Sequence, residues 1–194
     1  MFIQVLRGKA GDSAAARRQM DRWMKELRPG ASGFLGTTAG VTTAGEMIAL
    51  ARFESPEQAR ANSDRPEQGA WWEEMAKTFS GAVTFSDSSD VDVLLGGGSN
   101  EAGFVQIMKG KAADKARART LLPEIERMVK TSRPDVLGAV LAWHDDGTFT
   151  EAVYFKSEAD ARQAEQHDTP EVLVEVQAAM PVTEFLDLSE PWLW

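Results

Sequence analysis

The chain states its opening twice. Residues Phe2 to Asp12 read FIQVLRGKAGD, and Phe104 to Asp114 read FVQIMKGKAAD. Six of the eleven positions are identical, and the others are near-equivalent exchanges such as Ile for Val, Leu for Met and Arg for Lys. The correspondence continues downstream, where Phe53 answers Phe155 and Ala59-Arg60 answers Ala161-Arg162, all at an offset of 102. Arg28-Pro29 matches Arg133-Pro134 at an offset of 105, which puts a short insertion in the first helix of the second half or in the turn after it. AVTFSD (82–87) resembles PVTEFLD (181–187) at an offset near 99. A repeat this long is a duplicated domain rather than a solenoid. The Gly- and Ser-rich LLGGGSNEAG (94–103) has the composition of a flexible connector. The expected division is a first repeat over 1–95, a linker over 96–103 and a second repeat over 104–194.

Within each half the elements follow one order. FIQVLRG alternates as a strand does, and Asp12 or Ser13 offers an N-cap for a helix whose Ala16, Met20, Trp23, Met24 and Leu27 share one face. RPGASG stops that helix, and FLGTTAGVT with EMIALARFE forms a strand pair joined through a Gly-rich TTAG. Ser55 caps a second helix with Pro56 at its first position. PEQGAWWEEMAKTF continues helically, and AVTFSDSSDVDVLL closes the half as one strand. The second half repeats the order with HDDGT as its hairpin turn, and Pro123 predicts a kink or a late start in its first helix. The order β-α-β-β-α-β, twice, predicts an α+β fold of two ferredoxin-like repeats with helices on one face of each antiparallel sheet. The second copy then supplies, within one chain, the partner that a single copy would seek in a dimer.

Composition narrows the chemistry. The chain has no cysteine, which excludes disulfides, thiolate metal sites and cysteine nucleophiles, and only His144 and His167 supply imidazole. No metal site is expected. A net charge of −9 argues against nucleic acid, whose phosphates demand Lys and Arg. Met1 leads directly into FIQVL without a signal-peptide pattern, and no run of roughly 20 apolar residues offers a membrane span, so a soluble, cytoplasmic protein is expected.

The segment ARFESPEQARANSDRPEQGAWWEEM (51–75), supported by the turn LRPGASGF (27–34), resembles the dimeric α+β barrel proteins, and particularly the antibiotic-biosynthesis-monooxygenase branch in tandem form. That resemblance implies a dimeric α+β barrel-type arrangement within one chain. Its haem-degrading branch carries an Asn on the first strand, a Trp on the helix after the third strand and a His some nine residues later. Here Gln4, Ala61 or Asn62, and Ala70 or Trp71 stand near those positions, and Gln106, Ala164 and Glu171 to Leu173 in the second half, so the haem pattern is not matched. The cofactor-free branch surrounds a reduced aromatic substrate with an amide, a Trp and often an Arg. By that likeness Asn62 and Arg65 are the catalytic candidates, Asn62 donating to an enolate-like oxygen and Arg65 stabilising its charge. No cofactor is implied.

Each candidate also has a structural reading. Trp71 and Trp72 point about 100° apart on a helix, so one packs in the core or an interface while the other can line a cavity. Asn62 and Arg65 lie in ANSDRPEQ, where they also suit a capping turn. Gln4 and Gln106 hold equivalent places on the two opening strands and are ligand contacts only if they face inward. His167 in AEQHDTPE is either a general base or a surface turn residue. Trp23 is a candidate cavity wall. The tail EPWLW ends in Trp192 and Trp194, which must fold back or dock on another subunit, and a homodimer through this tail is expected. The leading expectation is a small-molecule enzyme resembling cofactor-independent monooxygenases, acting on an aromatic or polyketide-like substrate. The alternative is a non-catalytic ligand-binding or assembly protein of the same fold.

Overall fold

The computed structural model describes residues 1–164, 166 and 169–194. His167 lies outside the described residues. The chain forms two compact units, one of Met1–Asp90 with Pro191–Trp194 and one of Val91–Glu190.

The first unit runs β1 (Phe2–Lys9), α1 (Ser13–Arg22), β2 (Phe34–Val41), β3 (Glu46–Phe53), α2 (Pro56–Ser63), α3 (Pro66–Ala76) and β4 (Thr84–Ser88), with β10 (Trp192–Leu193) added from the chain's end. The second unit begins with β5 (Asp90–Leu94) and continues β6 (Phe104–Lys111), α4 (Lys115–Ser132), β7 (Val136–Trp143), β8 (Thr148–Phe155), α5 (Glu158–Ala164), α6 (Glu171–Ala179) and β9 (Val182–Leu188). The sheets are ordered β10-β2-β3-β1-β4 and β5-β7-β8-β6-β9. Without β10 and β5 they have the same order, so each unit is the expected ferredoxin-like repeat plus one extra edge strand. The registers also agree. Phe2 lies opposite Phe53 and Phe104 opposite Phe155, while Gln4 lies opposite Asp87 and Gln106 opposite Asp187.

The repeated letters have local jobs. Each opening phrase ends in Asp because that residue caps the helix that follows. The Asp12 carboxylate accepts from the Ala15 amide at 2.8 Å, and Asp114 accepts from Arg117 at 2.9 Å. Such a cap contributes about 1 kcal/mol by meeting an N–H that the first helical turn leaves open. The residue periodicity then buries Ala16 and Met20 of α1, and Ala118, Leu121 and Ile125 of α4, against their sheets. Helix α1 passes into a π turn over Trp23–Leu27 and a 3-10 turn over Arg28–Gly30. The π turn is a distortion often found at functional sites.

Three details correct the sequence reading or decide between its alternatives. The segment read as one closing strand breaks at Ser89, where the Ser88 hydroxyl bonds both the amide and the carbonyl of Asp90. Only β4 stays in the first sheet, and β5 pairs at the edge of the second. The tail does fold back: Trp192 pairs with Ala39 and Leu193 with Thr38, and the Arg17 guanidinium lies 5.4 Å and 4.8 Å from the Trp192 and Trp194 ring centres. The tail tryptophans are thus half-buried inside the first unit. Helix α4 starts at Lys115 and runs through Pro123 to Ser132 without a late start.

A shared bulge receives both extra strands. The β2–β3 register shifts between Phe34 and Gly36, and the β7–β8 register shifts between Val136 and Gly138, the corresponding place. A Cβ on Gly36 would stand 2.5 Å from the Trp194 carbonyl oxygen, and one on Gly138 would collide with the Gly97 carbonyl. Glycine is required at both because another backbone passes where a side chain would be.

Candidate active site

Each unit holds a cavity between its sheet and its helices. The first, of about 290 Å³, is walled by Trp23 from the π turn, Trp71 and Trp72 from α3, Phe34 from β2, Phe85 from β4 and Met residues of helix and sheet. Its polar lining is Gln4, Thr37, Asn62, Ser63 and Gln68, and no charged side chain lines it among the described residues. Two of these tryptophans are pinned by their ring nitrogens. Trp23 Nε1 donates to Gln68 Oε1 at 2.6 Å, and Trp71 Nε1 donates to the Gln19 carbonyl at 2.8 Å. Trp72 packs edge-on to Phe85 with ring centres 5.3 Å apart. Adjacent on the helix, Trp71 and Trp72 therefore reach the cavity from two sides, and neither is spent on core packing alone.

Asn62 is 6% exposed and lines the cavity. Its Oδ1 accepts from Arg65 Nη1 at 3.0 Å, which fixes the orientation of the amide and leaves its N–H₂ as the remaining polar group. Arg65 itself is not in the cavity wall. Its Nη1 also donates to the Leu27 carbonyl at 3.0 Å, and its Nε and Nη2 meet Glu67 at 2.9 Å and 2.8 Å. Arg65 thus ties the end of the π turn to α3 and holds Asn62, rather than presenting a charge to a ligand. Gly30 is small because the guanidinium lies against it.

The second cavity, of about 600 Å³, is walled mainly by aliphatic and Met side chains of α4, α6 and the second sheet. It holds no tryptophan among the described residues. Gln106 lines it, with its Nε2 donating to Asp187 Oδ1 at 3.0 Å, and Arg162 also bonds Asp187. Gln4 and Gln106 therefore both face the cavity side of their sheets, in separate cavities. Sequence reasoning missed Glu151 on β8, which lines the second cavity. Burial pushes its carboxyl up to about 7. Its strand neighbour is Met108 where Ala49 faces Leu6 in the first unit, so a carboxylate stands where the other copy has a methyl group. The signal was present: TFTEAVYF breaks the pattern of EMIALARF at that one inward position. Among the described residues no three His, Asp or Glu side chains converge as a metal site would need. His144 stays at its hairpin, with Nε2 3.0 Å from Thr150 Oγ1.

Comparison with solved structures bears on the fold. A candidate monooxygenase from Lactobacillus acidophilus NCFM matches over 100% of this chain and 98% of its own, with a TM-score of 0.72 at 12% identity. The chain shares that protein's fold over its whole length, two ferredoxin-like repeats in tandem. A candidate monooxygenase from Fusobacterium nucleatum subsp. nucleatum matches 96% of this chain and 89% of its own, at TM-score 0.69 and 8% identity. An anthrone oxidase-like protein matches 99% and 92%, at TM-score 0.66 and 9% identity. No protein-family model and no curated protein sequence matches the chain. Identities this low speak for a shared tandem fold and not for a shared reaction. No helix among the described residues is long and apolar enough to cross a membrane.

Proposed function

We propose that the first unit is a cofactor-independent oxygenase site for an electron-rich, enolisable polycyclic aromatic substrate. The observation that carries this is the Asn62 amide, buried beside Trp23, Trp71 and Trp72 with its oxygen taken by Arg65 and its N–H₂ left for an acceptor in the cavity. A flat aromatic ligand fits walls of indole and thioether, and a donor held in place ahead of reaction stabilises an oxyanion without reorganising. The name of the anthrone oxidase-like structure supports the substrate class.

No charged group lines this cavity among the described residues, so the substrate must ionise readily by itself. A methylene between two aromatic rings, conjugated through them to a carbonyl across the central ring, does so, and its proton returns to the peroxide formed next. Its enolate gives electrons to O₂, a C–O bond forms to a hydroperoxide, and loss of water leaves a ketone. The balance is R₂CH₂ + O₂ → R₂C=O + H₂O, with the substrate as the reductant. Asn62 holds the enolate oxygen, Arg65 positions Asn62, and the tryptophans exclude water.

The same lack of a base supports a second reading, a ligand-binding protein without turnover. Oxygen uptake with 1,8-dihydroxyanthrone, corrected for spontaneous oxidation, separates them. The oxygenase reading expects one O₂ per anthrone without added flavin or metal, and a fall of about 100-fold in Asn62→Ala. A rate no faster than the spontaneous one leaves only binding.

A further inference from the structure

We infer that the second cavity is a separate site for an apolar ligand carrying a basic amine, with Glu151 as its counter-ion. It rests on the second unit alone and stands or falls independently of the oxygenase reading.

The cavity has the volume of a drug-sized ligand site and walls of Leu, Ile, Val and Met. Glu151 projects from the floor strand β8 into it. No hydrogen bond or ion pair among the described residues reaches its carboxylate, which is half-buried among the apolar side chains of the cavity, and that setting raises its pKa. A carboxylate so placed is costly to keep unless something pairs with it. The charged groups elsewhere on the wall do not serve. Arg133 is committed to Asp135 through Nε at 2.9 Å and Nη2 at 2.7 Å. Glu126 is a second acid, paired with Lys130 at 2.8 Å. β6, β7, β9, α5 and α6 add no charged side chain to the wall among the described residues.

The unmet charge is therefore negative, and what completes it is a cation with an apolar body. A metal ion would need several oxygen ligands, and the described residues offer no such cluster. A quaternary ammonium favours an aromatic cage, whereas Phe155 and Phe185 are the cavity's only aromatic rings among the described residues. An amine with N–H donors matches a single carboxylate. The first cavity, with Ala49 at the equivalent position, has no such preference.

The test is calorimetric titration of the full chain with decylamine, decan-1-ol and decanoic acid at pH 7.5. The amine is expected to bind at least tenfold more tightly than the alcohol, and the acid least of all. Glu151→Gln keeps the shape and removes the charge, so the amine's advantage should vanish while alcohol binding stays. A second arm needs no variant: below about pH 7 the free carboxyl is protonated and must release a proton to pair, so amine affinity should fall about tenfold per pH unit there. Equal binding of amine and alcohol, an advantage that survives Glu151→Gln, no fall in amine affinity below pH 7, or no binding by any of the three overturns the proposal.

Discussion

The two cavities occupy the same place in the same fold and share Gln4/Gln106, Phe53/Phe155 and Phe85/Phe185, yet the rest of their walls differ in chemistry. The first is small, aromatic and uncharged, with an amide held in place by an arginine. The second is twice as large and mainly aliphatic, and holds an unpaired acid. Both copies keep what the backbone needs: the Asp that caps the first helix, the Phe pair at the start of β1 and β6, and the glycine at each bulge. Among the other side chains that point into the space between sheet and helices, the indoles and Asn62 belong to the first copy alone and Glu151 to the second. Duplication lets backbone requirements and cavity chemistry part company, because a second copy can change its lining without touching the first copy's caps and registers.

The largest effect that tests this contrast is on stability. In the folded chain Glu151 holds its proton to about pH 7, against an ordinary value of 4.5. The unfolded chain releases the proton earlier, so folding loses stability as pH rises from 4.5 to about 7, and the loss is complete above that. The full rise is worth about 3 kcal/mol. Glu151→Gln should therefore stabilise the second unit by about 3 kcal/mol at pH 8 and by almost nothing at pH 4. Urea unfolding across that range reads the difference directly, and a pH-independent gain would mean that the carboxyl is solvated in the folded chain.

Next comes activity. Asn62→Ala should reduce anthrone turnover about 100-fold, equal to about 2.7 kcal/mol of barrier, and leave decylamine binding unchanged. If both readouts move together, the two cavities are not independent and the comparison fails.

A third change probes the edge strand peculiar to the first sheet. Gly36 has φ of +147°, and a Cβ there meets the Trp194 carbonyl. Gly36→Ala should cost about 2 kcal/mol and free the tail. Tryptophan emission should shift to the red as Trp192 and Trp194 lose Arg17 and β2, with the second unit's unfolding unaltered. Retention of the native emission would mean that the strand yields without detaching.

How much of this could be read in advance follows from the physics of each element. The repeat made the strand order legible because equal residues at equal offsets demand equal elements, and Phe2, Phe53 and Asp12 do the same work in both copies. Asn62, Trp71 and Trp72 were legible as cavity candidates because small-molecule sites recruit amides and indoles. Glu151 is legible only against the other copy's Ala49, since a lone Glu in alternating TFTEAVYF, taken by itself, reads as a solvent-facing residue. That inference fails where neither face of a sheet meets open solvent, as in β8: Thr150, Ala152 and Tyr154 on one face are 0% exposed, while on the other Phe149 is 0% exposed and Glu151 and Val153 are half-buried. The transfer of β5 to the second sheet was illegible for another reason. DVDVL specifies a strand, and nothing local specifies which sheet it joins.

The smallest predicted effect decides what Arg65 does. The likeness to cofactor-free oxygenases suggested a charge aimed at the substrate, whereas the guanidinium is spread over Leu27, Asn62 and Glu67, outside the cavity wall. Lysine keeps the charge but is a single point donor without the planar fork, so it can hold one of these partners well and not all three. If charge is what matters, Arg65→Lys should retain full turnover. If position is what matters, Arg65→Lys should lower kcat about tenfold, roughly 1.4 kcal/mol, with little change in KM. Because Arg65 acts through Asn62, the loss should also disappear in the Asn62→Ala background. Additive losses in the double variant would return Arg65 to the substrate, and would make the first cavity charged after all.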